Sequence, residues 1–218
     1  MRLTKRTALA SSILAVLLST AIPAYAEHAN HEAKMMDASP KIAQTDAALR
    51  DLWVGHVFWV RNVVVETLAG NKEAATAAEN EVVANAKQIA ASIEPFYGKA
   101  GSDKLFGLLA GHYGATKQYL EATMAGSQEK QDAAMKSLTG NVEEIAVFLS
   151  GANPNLPHDA VKGLFLAHTA HHQQQIQQLH NKQYQQETKT WDAMKEHMYG
   201  IADALTGALA KQFPAKFS

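Results

Sequence analysis

Leu52-Trp53-Val54-Gly55-His56 is the stretch on which the reading of this chain turns, because its pattern occurs three times. It returns as Leu108-Leu109-Ala110-Gly111-His112 and as Leu164-Phe165-Leu166-Ala167-His168, placing the three histidines 56 residues apart. A second series keeps the same interval: Val82-x-x-Asn85-x-x-x-Ile89, Leu138-x-x-Asn141-x-x-x-Ile145 and Met194-x-x-His197-x-x-x-Ile201. Two independent landmarks at one period predict a triplicated unit.

Each unit reads as a pair of helices. Apolar residues fall at −4, −3 and +8 around His56, His112 and His168, and at −3, +4 and +8 around Asn85, Asn141 and His197. That is the buried stripe of an amphipathic helix. Gly70 and Gly126 mark helix ends, Pro95 stops the second helix, and Ser102 and Ser127 are expected N-caps. No run alternates with period two, so no strand is expected. The predicted fold is all-α: an up-down bundle of six helices built from three antiparallel hairpins, at about 46–98, 102–153 and 158–212. The break between the last two helices is expected near Asn181-Lys182.

The hairpins bring the two series to one level. His56 lies 14 residues before Gly70 and Asn85 15 after it, so each is roughly 21 Å from the turn at ~1.5 Å per residue. The same holds for His112 with Asn141 and for His168 with His197. Four imidazoles and two carboxamides are thus expected to share one buried layer. An unpaired buried polar group costs roughly 1–3 kcal/mol, so the layer must be satisfied by its own members, by ordered water, or by a metal or small ligand.

Neutral imidazole suits Zn, Cu, Ni and Fe. The metal reading takes His56, His112 and His168 as ligands and His197 as a fourth. Asn85 and Asn141 would orient the rings, and His172, one helical turn after His168, would support them. The alternative is a non-catalytic structural or partner-binding bundle whose histidine and asparagine layer only fixes register. A ferritin-like site is excluded, because Trp53, Leu109, Phe165 and Met194 stand three before the layer histidines where it needs glutamates. Thiolate, haem-attachment, phosphate-loop and serine-elbow motifs are missing from the sequence, and no carboxylate recurs on the core stripe, so an enzyme reading is weak. His171 and His180 read as solvated and Arg61 as a rim side chain. Trp53 and Trp59 read as packing, and Asp203 as either ion-paired or exposed.

Residues 1–26 read as a cleaved signal peptide: Arg2, Lys5 and Arg6, then an apolar run too short for a comfortable membrane span, then Ala24-Tyr25-Ala26. The expected location is periplasmic or secreted, with cleavage after Ala26. Residues 27–44, with His28, His31, Met35 and Met36, read as a disordered leader that could collect metal ions, and 45–218 as one bundle domain. The formal net charge is −1 and no basic face recurs, so no nucleic-acid partner is expected. There is no cysteine, and stability must come from packing.

Leu52-Trp53-x-x-His56-x-x-Trp59-x-Arg61, Pro95-Phe96-Tyr97-Gly98, Glu144-Ile145-Ala146-x-Phe148-Leu149-Ser150-x-Ala152-Asn153-Pro154 and Ala202-Asp203-Ala204-Leu205 carry a resemblance. They resemble a family of small exported bacterial helical proteins without an established activity, over about residues 49–217. Some members of that family carry enzyme names such as glycosyltransferase, which these residues do not support. The resemblance implies the same helical, exported protein, with layer residues at His56, Asn85, His112, Asn141, His168 and His197.

Overall fold

In a computed structural model, residues 38–218 are described. They form six long helices, α1 (Pro40–Leu68), α2 (Lys72–Ser92), α3 (Glu94–Met124), α4 (Gln128–Ala152), α5 (His158–His180) and α6 (Tyr184–Gln212), with a closing turn α7 (Pro214–Phe217). No strand occurs among the described residues, so the all-α bundle expected from the periodicity is what forms. The stretch expected to be a signal peptide and the expected leader residues His28, His31, Met35 and Met36 lie outside the described residues.

Three tight turns build the hairpins. Gly70, Gly126 and Lys182 all adopt left-handed backbone, with φ of +76°, +63° and +58°. The amide of the next residue reaches back five positions each time: Asn71 N–H to Glu66 O, Ser127 N–H to Ala122 O, and Gln183 N–H to Gln178 O. This closure satisfies carbonyls that a helix end would leave unpaired. The Asn181-Lys182 break is therefore a true turn, made with a lysine where the other two use glycine.

Two expected boundaries move. The first helix starts at Pro40 rather than after Thr45, because Ser39 caps it and proline fits the first helical position. The Ser39 hydroxyl also donates to the Phe217 carbonyl at 2.6 Å, tying this helix start to the chain's end. Residues 40–44, expected in the leader, thus belong to the bundle. Ser102 is not a cap but a buried residue inside α3. The break falls earlier, at Gly98 (φ +70°), where a glycine tolerates the turn out of Pro95-Phe96-Tyr97.

The helices pack in a ring in chain order, α6 closing against α1, and α5 additionally reaches inward to α1 and α3. α5 is thus enclosed by four other helices. The apolar core divides into one large part and two smaller ones. The large part, around Trp53, Val57, Ile89, Leu109, Ile145, Phe165 and Met198, lies away from the three turns. A second, around Val64, Tyr119, Leu120, Ile176 and Leu179, and a third, around Val60, Val63, Ala78 and Val82, lie toward them. The polar layer falls between. Among the described residues no helix is long and apolar enough to cross a membrane.

Candidate metal centre

α5 supplies two of the central side chains. His168 and His172, one turn apart, both point inward because α5 has neighbours on so many sides, and their ring centres lie 4.4 Å apart. His56 comes across from α1, with its ring 5.7 Å from His168 and 6.0 Å from His172. One ligand nitrogen from each of the three lies within 4.8 Å of the other two. Three such atoms fit inside a circle of about 2.8 Å radius, against metal–nitrogen bonds of roughly 2.0–2.1 Å. Closing the difference takes less than about 1 Å of side-chain movement each. This buried histidine triad could hold a metal ion.

The structure places His112 and His197 outside that group and His172, expected as a supporting residue, within it. His112, from α3, stacks on the His168 ring at 5.5 Å with the planes inclined 21°. The position of His172 is occupied 56 residues earlier by Thr116 and 112 residues earlier by Val60, so the second inner histidine is particular to α5.

The carboxamides and His197 share one task. Asn85 Nδ2–H donates to the Leu52 carbonyl at 2.9 Å, Asn141 Nδ2–H to that of Leu108 at 3.0 Å, and His197 Nε2–H to that of Leu164 at 2.8 Å. Each bond spans 33 residues and ties the two helices of one hairpin together. The small residue beside each carbonyl matters. A Cβ on Gly55 would stand 3.2 Å from Asn85 Nδ2, and one on Gly111 the same distance from Asn141 Nδ2. In the third hairpin Ala167 brings a Cβ, and there the longer imidazole of His197 replaces asparagine. Its ring is half-buried.

One ring has its tautomer set. Asn141 donates through Nδ2, so its Oδ1, 2.9 Å from His112 Nδ1, must accept, and Nδ1 carries the proton. The lone pair of His112 is then on Nε2, a buried atom with no partner within the protein. Asn141 thereby fixes the orientation of the His112 ring. The equivalent bond is missing in the first hairpin: Asn85 Oδ1 and His56 Nδ1 are both buried without partners there. His168 Nδ1 and both nitrogens of His172 are in the same condition.

These rings are neutral. His56, His112, His168 and His172 are all at most 4% exposed. Burial, with the added repulsion of His112, lowers His56 from 6.5 to about 3. Burial lowers His112 to about 4 against the opposing bond to Asn141. His168 and His172 are held well below 6.5 by burial and then by the other histidines. Neutral imidazoles with unpartnered nitrogens are the form in which histidine binds metal.

The expectations for the surrounding residues divide. Trp53 is core, edge-on to His56 and Phe165, while Trp59 is half-buried against Phe58. Asp203 pairs with Arg50 at 2.6 Å. Arg61 is not simply a rim side chain: it makes two bonds, of 2.6 and 2.8 Å, to Glu187, which is 2% exposed. Gln175 Nε2–H, three residues after His172, donates to the same carboxylate at 2.9 Å. Burial raises the Glu187 pKa, but the Arg61 bond and charge prevail and the net direction is down. Sequence reasoning missed Glu187; the available signal was Arg61 itself, a charge in the most apolar helix that needed a counter-ion.

The fold and the site define an all-α bundle enclosing a histidine cluster able to hold a metal ion. Comparison of the chain with protein-family models, curated proteins and solved structures finds no match.

Proposed function

We propose that this protein is an exported metal-binding bundle that takes one transition metal ion, of the class Zn, Cu, Ni or Fe, at mid-height in its core. His56, His168 and His172 are the primary ligands. The inward lone pair of His112 Nε2 is the fourth, reached by a small shift of a ring already stacked on His168. The observation that carries this reading is the convergence of the three buried, neutral imidazoles of the triad within 4.8 Å. Ligation also relieves their unpartnered nitrogens, each a cost of roughly 1–3 kcal/mol. The basic and apolar start of the chain, ending in Ala24-Tyr25-Ala26, supports export and hence a role in metal handling or stress response in the cell envelope.

The test is metal content. Purified protein exposed to each ion and desalted is compared with a His56→Leu/His172→Leu variant, leucine being chosen to keep the core filled. One ion per chain in the wild type and none in the variant is the expected result; equal content in both refutes it. A second reading, a layer that only fixes register, is favoured by the three bonds to the Leu52, Leu108 and Leu164 carbonyls. It requires that a chelator leave thermal stability unchanged.

A further inference from the structure

Beside the triad, His171 on α5 and His197 on α6 face each other, with ring centres 5.6 Å apart and planes inclined 53°. Both are half-buried, so solvent reaches them as it does not reach the four inner rings. His197 donates through Nε2 to the Leu164 carbonyl, which leaves its lone pair on Nδ1. Two imidazoles sharing one ion through bonds of roughly 2.0–2.1 Å put their ring centres roughly 5–6 Å apart, and this pair already stands at that separation.

The pair also stands next to the inner site. His171 precedes His172 in sequence and follows His168 by three residues, which on an α-helix is roughly 60° around the axis from His168. The electrostatic influence of His197 reaches His168, and that of His171 reaches His172. A hydrated ion in solvent therefore meets the outer pair one helical step from a triad that is almost wholly enclosed. A buried site needs an entry path, and direct entry would strip the ion's water before any protein ligand replaced it.

We propose that His171 and His197 form an outer two-histidine site that captures a divalent transition-metal ion and passes it to the buried triad. The inference rests on the reading of the triad as a metal site. The transfer is a ligand exchange: the ion keeps its charge, gives up water and the outer lone pairs, and gains inner ones. Imidazole binds a metal through an unprotonated nitrogen at either site, so the exchange itself carries no proton from one to the other.

The test follows loading of the metal-free protein with cobalt(II), read by visible absorption, for wild type, His171→Gln and His171→Gln/His197→Gln. Glutamine at 197 keeps an N–H for the Leu164 carbonyl, and the single variant changes only a helix shoulder, so folding is not at issue for it. The expected result is unchanged final occupancy, one ion per chain, with loading slowed about tenfold in the double variant and by a smaller factor in the single. Full occupancy at an unchanged rate overturns the relay while leaving the triad reading intact. Loss of final occupancy in the double variant also overturns it, by making the outer pair part of the holding site. If wild type takes up no cobalt while the other ions are also refused, the triad reading itself fails and the relay falls with it.

Discussion

Lowering the pH from 7.5 to 5 is expected to unfold the metal-free bundle, and the size of the effect follows from the four inner imidazoles. In the unfolded chain each titrates near 6.5, whereas in the fold His56 titrates near 3, His112 near 4, and His168 and His172 well below 6.5. The unfolded state then binds more protons below pH 6.5, so stability rises with pH and is lost as pH falls. Nothing is lost above about 7. The loss grows from 6.5 downward until the folded rings themselves take up protons, near 4 for His112 and near 3 for His56. At pH 5 each proton is worth about 2 kcal/mol, from ~1.36 kcal/mol per pH unit over the interval below 6.5. Four rings acting independently reach about 8 kcal/mol, within the 5–15 kcal/mol that is the whole stability of a typical domain. His158 runs the other way, since Asp159 and Glu143 raise it and its contribution fades as pH rises, but it is a surface group. Urea unfolding followed by helical circular dichroism, in the presence of a chelator, gives the free energy at each pH. The expected slope between pH 6 and 5 is about 5 kcal/mol per pH unit, falling by roughly a quarter in His112→Gln. A stability independent of pH from 7.5 to 5 would refute the neutral buried layer under either functional reading.

Three further outcomes test the packing. Lys182→Gly should raise the melting temperature, because Lys182 is the single non-glycine with positive φ among the described residues; relief of about 1 kcal/mol is expected. Gly107→Ala, whose Cβ meets nothing within 4 Å, should stabilise by about 0.5–1 kcal/mol. Gly55→Ala and Gly111→Ala should lower the melting temperature relative to it, since their Cβ atoms press on Asn85 and Asn141; equal shifts for all three would remove the reason given for glycine there. Arg61→Met should cost about 2–4 kcal/mol in chemical denaturation, discounted for the partial exposure of Arg61, because Glu187 is left buried with only Gln175. Arg61→Met/Glu187→Leu should restore most of that, and a double variant as unstable as the single would argue against a buried-charge origin.

Most of the bundle was legible in the sequence because helix pattern and turn residues are local. Gly70, Gly126 and Ser127 announce their turns, and the apolar positions around His56, His112 and His168 give the inward face directly. Ser102 misled because a good capping residue four positions beyond a glycine break looks the same whether or not the helix has already begun. The site was legible only as a level. Which histidines converge depends on α5 sitting among four neighbours, and that fact belongs to no single stretch of sequence. It brings His172 into the group beside His168. The same limit explains His197, whose role as a bond to the Leu164 carbonyl depends on a methyl at Ala167. Glu187 lies in a polar run, Gln185-Gln186-Glu187-Thr188, and nothing in that run distinguishes a buried carboxylate from an exposed one.

The three side-chain bonds to the Leu52, Leu108 and Leu164 carbonyls act as rivets through the waist of the molecule. Each fastens the two helices of its own hairpin against sliding, while none of the three joins one hairpin to another. His56 comes from the first hairpin and His168 and His172 from the third, so the triad bridges two units that the rivets leave separate. An ion held by all three histidines, as proposed, would act as a clasp between those two units.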